Sequence, residues 1–402
     1  MEYADSQAAR ELTARAREFI DETVIPVERE ELGDGSVDDA VIETLREEAR
    51  NREIYCPQIG TEHGGLGHSF REALPLFEEA GRSLLGPVSM GINAPDEGNM
   101  HTLELVGTPE QKAEWLEPLV AGQIKSAFAM TEPSPGAGSD PKMLQTTAEK
   151  DGGEWVIDGH KWWTTQGSEA DVFIVMARTD MDAHPYSGTS LFLVPAGADG
   201  VEVIRDITHL GPDTVHESHA EMRYDSVRIP EENLLGELNE GFTHAQQRLG
   251  PARLTHCMRY TGMATRSLNV AKAYMQEREA FGSKLEDKQA QRFSAADLEI
   301  QLHATRTMVR HAADRIAAGE EARIPVSMSK VFAANTCQSA IDFALQACGG
   351  AGMSYDLPIA DFYKSVRQFR LVDGADEVHR RVVAREAFSD VSDPAIENVP
   401  TF

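Results

Sequence analysis

Apolar residues recur every three to four positions along roughly the first 125 residues, which predicts helices there. Leu12, Ala16, Phe19 and Ile20 share one face ahead of Pro26, and "DDAVIETLREEARN" (38–51) keeps the rhythm. A Gly-rich loop, "CPQIGTEHGGLG" (56–67), interrupts the helices, which resume through Leu119. Near Lys125 the period drops to two. "EWVIDGHKWWTT" (154–165) places Asp158-Gly159 between two strand-like runs and predicts a two-residue hairpin. "DVFIVMAR", "SLFLVPA", "VEVIRDI" and "AEMRYDSVRIP" are further short runs rich in β-branched and aromatic residues, ending near Pro230. From about Gly241 the helical period returns. Leu298, Leu302, Thr305 and Val309 mark one face, and "VSMSKVFAANTCQSAIDFALQAC" runs on to a break at Gly349-Gly350. The pattern predicts an α+β chain of three parts: helical over 1–125, β over 126–235 and helical again over 236–402.

Length and composition agree with two or three packed units: 402 residues, 41% hydrophobic and 26% charged. Charge changes the picture more. Sixty-six acids against 38 bases leave a formal charge of −28, and only ten of the bases are lysines. No basic stripe is available to neutralise phosphates, so nucleic acid is not an expected partner. An acidic, solvated surface also suits a salty cytoplasm. No apolar run reaches the ~20 residues of a membrane span, and the amino terminus has acids where a secretory signal has an apolar stretch. The expected location is cytoplasmic, without membrane association. Cys56, Cys257, Cys337 and Cys348 form no C-x-x-C pair and read as reduced, buried thiols.

Several signatures can be set aside. "GAGMSY" (350–355) follows a helix and has Tyr355 where a dinucleotide fingerprint needs its third glycine. "HESH" (His216–His219) is one residue short of a zinc-protease motif. Surface histidines explain it, with His209, better than a metal site, so no metal is expected. "FAMTEPSPGAGSD" (128–140) reads either as a Pro/Gly connector or as a loop offering N–H groups and hydroxyls to a polar ring or phosphate. In "KWWTTQG" a tryptophan beside Thr165 could stack on a flat cofactor while the threonine donates hydrogen bonds, although core packing is the commoner use of Trp. Read as a helix, "REAFGSKLEDKQ" puts Phe281 at i+3 from Arg278, a natural pyrophosphate partner. "RQFRLVDGADEVHRR" (367–381) crowds Asp373, Asp376 and Glu377 against four arginines and a histidine, the usual look of solvated ion pairs at a helix end.

Taken in order, "PQIGTEHGGLG", "FAMTEPSPGAGSD", "VIDGHKWWTTQG", "VRIPEENLLGELNEGF", "REAFGSKLEDKQ" and "QACGGAGMSYDLPIADFYKSVRQFRLVDGADEVHR" resemble the acyl-CoA dehydrogenase family over nearly the whole chain. "RLGPARLTHCMR" and "LVDGADEVHR" look most like the branch of family members ten and eleven. The resemblance implies an α-domain, a middle β-barrel or sandwich and a C-terminal four-helix bundle, in a homotetramer built from dimers. It implies FAD between the β-domain and the C-terminal helices. Phe128, Met130 and Thr131 match positions lining the isoalloxazine, with Trp163 and Thr165 on its other side. Ser139 matches the serine near the flavin and CoA. Arg278, Phe281 and Gln289 match residues reaching a neighbour's FAD, Gln346 and Gly350 its adenosine site, and Glu377 a flavin contact.

The resemblance also implies a base for the substrate's α-proton at Asp373, with Gly374 after it and Arg253 in the substrate site. The family's other base position falls on Ala252, which cannot titrate; Asp376 reads as an ordinary solvated acid. Water expelled by an acyl chain is expected to raise the base's pKa. The pattern is not followed everywhere. Asp replaces the commoner Glu, shortening the reach by about 1 Å. Val372 and Ala375 replace a common Tyr and Thr, and extra residues near Ser134-Pro135 soften the match at Ser139. The expected activity is α,β-dehydrogenation of an acyl-CoA, with electrons passed to an electron-transfer flavoprotein. The rivals are an oxygen-using flavoenzyme of the same fold and a non-catalytic acyl-CoA binder.

Overall fold

The computed structural model of the protein describes residues 4–31, 37–210, 218–389 and 391. The amino-terminal helices are α1 (Gln7–Phe19), α2 (Ile25–Glu31), α3 (Asp39–Asn51), α4 (Phe70–Ala80), α5 (Gly86–Ser89), α6 (Asp96–Val106), α7 (Pro109–Gln111) and α8 (Glu117–Val120). The face read from sequence is the buried one: Leu12, Ala16, Phe19 and Ile20 are fully enclosed. Helical backbone does not stop at Pro26. A π-helical turn, Ile20–Val24, joins α1 to α2, so the missing proline N–H falls within the first turn of the new segment.

Among the described residues eight strands form one sheet: β1 (Ser126–Ala129), β2 (Thr147–Asp151), β3 (Glu154–Thr165), β4 (Val172–Arg178), β5 (Thr189–Pro195), β6 (Val201–Asp206), β7 (His219–Pro230) and β8 (Leu234–Leu235). They pair in the order β6-β7-β3-β2-β4-β5-β8, with β1 parallel to β4. The hairpin expected at Asp158-Gly159 is not there. β3 runs straight through it, and the tight turn between β2 and β3 is Gly152-Gly153, Gly152 at φ +66°. Asp158 instead faces a bulge in β7, where Ser226 sits at φ +51° and donates its N–H to Asp158 Oδ1 at 2.7 Å.

The carboxyl-terminal part holds α9 (Gly241–Glu277), the small pair β9 (Glu279–Ala280) and β10 (Ser283–Lys284), α10 (Gln289–Ala317), α11 (Arg323–Cys348), α12 (Gly350–Met353), α13 (Ile359–Gln368) and α14 (Asp376–Ala387). Leu298, Leu302, Thr305 and Val309 are buried on α10, and α11 ends at Gly349, φ +57°. The segment 278–289 is no helix. Phe281 and Gly282, both at positive φ (+52° and +80°), turn β9 into β10 as a type I′ turn requires. Arg278 and Phe281 therefore share no helical face, and Phe281 is 99% exposed at the tip.

A buried polar network ties the three parts together. Asp96 of α6 accepts from the Ser126 N–H and hydroxyl and from Gln166 Nε2 at 2.9, 2.7 and 3.1 Å. Asn99 donates to Ser126 Oγ at 2.8 Å and accepts from Arg248 Nε of α9 at 3.0 Å. All four cysteines are free and buried. Among the described residues no helix is long and apolar enough to cross a membrane.

Candidate active site

Strand alternation decides which β1 side chains reach the helices. Ala127 and Ala129 pack into the sheet's own core, whereas Phe128 and Met130 turn to the larger core shared with the helices. The Phe128 ring lies 4.3 Å from the Arg248 guanidinium carbon. After β1 the chain loops through Glu132, a carboxylate 2% exposed that accepts from Ala137, Gln145 and Thr146 N–H groups, the Thr146 hydroxyl and Lys161. Lys161 is wholly enclosed. It also donates to the Met130 carbonyl at 3.1 Å, while Trp162 N–H donates to the Thr131 carbonyl at 2.8 Å. The backbone of Met130 and Thr131 is thus pinned from β3. Burial pushes the Lys161 pKa down to about 8 against the pull of Glu132. Burial also works against Glu132, but Lys161 and the donors around it hold its carboxyl below the usual range.

A register shift between Lys161 and Thr164 bulges β3, with Trp163 in the left-handed region at φ +57° and its side chain 39% exposed. His209 and His219 meet its ring edge-on at 5.7 and 5.3 Å. His219 is no surface histidine: it is 6% exposed, and burial pushes its pKa down to about 4. Its Nε2–H donates to Gln368 Oε1 at 3.3 Å, so Nδ1 accepts from the Thr165 hydroxyl at 3.0 Å. Thr165 therefore does not donate to a cofactor as the sequence suggests: its proton goes to His219 and it presents an oxygen lone pair. His216 lies outside the described residues. Among those described, no group of three His, Cys, Asp or Glu could hold a metal ion.

Asp373 stands in the turn between α13 and α14, at φ +55°, followed by Gly374 at +99°. Such backbone strain in a non-glycine residue persists where neighbours over-determine it, and here they do. Arg253 Nε and His379 Nε2 donate to the Asp373 carbonyl at 2.8 and 3.1 Å, and Lys330 Nζ to that of Gly374 at 2.8 Å. A Cβ on Gly374 would stand 2.8 Å from His379 Nε2, so only glycine lets that imidazole in. His379 Nδ1 accepts from the Ser327 hydroxyl at 3.1 Å; the ring is neutral, burial and Arg253 pushing its pKa down to about 4.

The Asp373 side chain is 17% exposed, but its Oδ2 is buried and accepts no hydrogen bond. His256 Nδ1 stands 3.2 Å from that oxygen, but points its hydrogen bond at the Ala252 carbonyl, 2.8 Å away. Burial by itself would raise the Asp373 pKa. The cationic surroundings, His256, Arg253, Arg248 and Lys330, outweigh it and hold the carboxyl below the usual range. Burial, then Arg259, lowers the His256 pKa to about 4, so Arg253, Arg248 and Lys330 carry most of that stabilisation near neutrality. Glu97 of α6, bonded by Thr255 at 3.2 Å, is the reverse case: burial raises its pKa in spite of Arg259 and Arg248.

Asp376 is not solvated. It is 1% exposed at the start of α14, accepting from Arg370 Nε at 2.9 Å and Asn335 at 3.0 Å, with Lys330 at 3.7 Å. Glu377 beside it faces solvent. One chain therefore brings together Phe128, Met130, Thr131, Trp163 and Thr165 in one patch, and Asp373, Gly374 and Arg253 in another, with Arg248 over the Phe128 ring and its charge felt at Asp373. Ser139 is exposed on its loop. Arg278, Phe281, Gln289, Gln346 and Gly350 are exposed elsewhere on the helical part, and among the described residues no polar or ring contact joins them to either patch. Gln289 borders an open hollow of about 530 Å³ with Arg292 and Phe293. Sequence reasoning missed His256, Lys330, His379, Arg248 and Glu97. The legible signal was in "RLGPARLTHCMR", where Arg248, Ala252, Thr255 and Arg259 fall on one buried face of α9.

A flat polar ring system fits the first patch: an exposed Trp163 face, the Thr165 oxygen beside it, and a buried Trp162 Nε1 with no hydrogen-bond partner. The acyl-CoA dehydrogenase N-terminal, middle and C-terminal domain families match residues 6–123, 127–227 and 239–388. The chain is 37% identical over 401 residues to "Probable acyl-CoA dehydrogenase FadE2" of Mycobacterium tuberculosis, covering 97% of both. It is 34% identical to acyl-CoA dehydrogenase family member 11 of Gallus gallus, covering 97% of this chain but 52% of that longer protein. A Mycobacterium abscessus structure assigned to the acyl-CoA dehydrogenases superposes with a TM-score of 0.91 at 39% identity, covering 97% of this chain and all of that one. The chain belongs to the acyl-CoA dehydrogenase family, a family of FAD-binding enzymes.

Proposed function

We propose that this protein converts an acyl-CoA thioester to the trans-2-enoyl-CoA, with Asp373 as the α-proton base and an electron-transfer flavoprotein receiving the electrons. The observation that carries it is Asp373 Oδ2: buried, anionic and accepting no hydrogen bond. A carboxylate oxygen so placed has a vacant lone pair for a proton and little water to compete for it. FAD, once bound, supplies the two-electron acceptor for the β-hydride. The chain's own residues do the rest. Oδ2 takes the proton as the α C–H bond breaks, and the Asp373 backbone N–H, bonded to no described residue, is placed to hold the thioester oxygen as charge builds on it.

On this reading Phe128, Met130, Thr131, Trp163 and Thr165 hold the flavin ring. Ser139, Arg253 and Gly374 border the substrate, and Glu377 lies near the cofactor. Arg278, Phe281, Gln289, Gln346 and Gly350 serve the FAD of a neighbouring subunit in a tetramer made of two dimers, which light scattering would test. Their exposure in a single chain supports that assignment.

The test is an anaerobic absorbance titration with a panel of acyl-CoAs. One of them should bleach the bound flavin, and Asp373→Asn should slow bleaching by about a thousandfold or more while the protein stays yellow. Bleaching that survives Asp373→Asn would remove Asp373 as the base. Rapid reoxidation of the bleached flavin in air would shift the reading to an oxygen user.

A further inference from the structure

The shorter base raises a question of control. An aspartate has one rotatable bond fewer than a glutamate, but its carboxylate still turns about χ2, and a base 1 Å or a few tens of degrees out of place loses much of its rate. The carbonyl of Asp373 is fixed by Arg253 and His379, yet neither of those hydrogen bonds touches the carboxylate. The basic side chain within ion-pair reach of Oδ2 is His256, with Nδ1 at 3.2 Å.

The imidazole is itself fixed. Nδ1 meets two acceptors, the Ala252 carbonyl at 2.8 Å and Asp373 Oδ2 at 3.2 Å, against one donor, Arg259 Nη2 at 3.2 Å, so in the neutral ring it carries the hydrogen. Tyr260 and Phe369, stacked on each other at 4.4 Å, lie together to one side of the ring with centroids 6.3 Å away. Its N–H therefore stands at the edge of Oδ2 without being spent on it. This is a donor that can share its hydrogen between the Ala252 carbonyl and the carboxylate.

We propose that His256 is the positioning residue of the base: its Nδ1–H, anchored on Ala252, orients the Asp373 carboxylate and keeps Oδ2 an anion until the α-proton arrives. The proposal rests on Asp373 being the base. Arg248, Arg253 and Arg259 of α9, Lys330 of α11, His379 of α14 and Glu97 of α6 also face the pair electrostatically. Their charges set the background. None of them supplies a hydrogen bond to Oδ2.

The test compares His256→Leu, which keeps bulk but no N–H, with His256→Asn, whose side-chain amide nitrogen stands where Nδ1 was. The readout is washout of deuterium from the α-carbon of the acyl-CoA that bleaches the wild type, followed by mass spectrometry across pH. Flavin absorbance and thermal midpoint report that each variant is folded and loaded. His256→Leu should slow washout by about tenfold and move its pH limb upward by about one unit, because the carboxylate loses a stabilising donor. His256→Asn should stay within about threefold of wild type with the limb unmoved. A Leu variant with unchanged rate and pH limb would overturn the proposal, as would equal loss in both variants with no shift. Washout that persists in Asp373→Asn would instead overturn the reading of Asp373, whatever the His256 variants do. Should a Leu variant not fold, the Asn variant alone decides: a loss of tenfold in that folded protein contradicts the role.

Discussion

Lys161 shows what a single residue has to satisfy when it is buried as an ion. Its ammonium is wholly enclosed and has the Glu132 carboxylate at 3.0 Å and the Met130 carbonyl at 3.1 Å. Removing one partner strands the other charge, which typically costs about 3–5 kcal/mol. Lys161→Met should lower stability by about that much in urea denaturation and weaken FAD retention, since Met130 and Thr131 lose their anchor. Adding Glu132→Gln should restore part of the stability; a double variant as unstable as the single one would contradict the pairing. "HKWW" shows a lysine two residues after a turn signal, which gives no hint of burial. His219 hides for the same reason: a histidine beside acids looks solvated until Gln368, from α13, is laid across it.

At the scale of elements, the site depends on how closely α4 and α9 cross. A Cβ on Gly262 would meet the Glu78 carbonyl at 2.0 Å, and one on Gly81 would meet the Arg259 carbonyl at the same distance. Two backbones touch there, with no room for a methyl group. Gly262→Ala should cost about 1–3 kcal/mol by denaturation, and should displace Arg259 and His256, one turn earlier on α9. Stability within about 0.5 kcal/mol of wild type would show that the helices can part freely. Neither glycine announced itself in sequence, because a glycine inside a helical period looks the same whether it faces water or another backbone. The strand period served better. It separated Phe128 and Met130 from Ala127 and Ala129, but could not tell that Gly152-Gly153 and not Asp158-Gly159 makes the turn, since both pairs favour one.

The whole molecule should register its buried histidines in its acid stability. His219 and His379 have pKa values near 4 when folded, against about 6.5 when unfolded, burial being the leading cause in each. Between those values the unfolded chain binds protons that the folded chain does not. Stability is therefore complete above about pH 6.5 and falls as pH drops toward 4, each histidine accounting for about 3 kcal/mol at most. A formal charge of −28 works the other way, because acidification relieves self-repulsion. Urea midpoints that fall between pH 6.5 and 4, and fall less steeply in His219→Asn, would identify the histidines. Midpoints that rise through the window would show that charge relief dominates.

What the sequence determined by itself was local or ordered along the chain. Helical and strand periods, the block order, the buried faces of α1 and α10, and the run of motifs resembling the acyl-CoA dehydrogenases are all written within a few residues of one another. The tertiary structure decided which polar groups lie beneath the surface. It put Asp376 in the core under Arg370 and Asn335, placed His256 beside Asp373 from 117 positions away, and tied three domains through Asp96, Ser126 and Arg248. Burial and charge pairing are sums over neighbours distant in sequence, and a period of two or 3.6 carries no information about what crosses the far side.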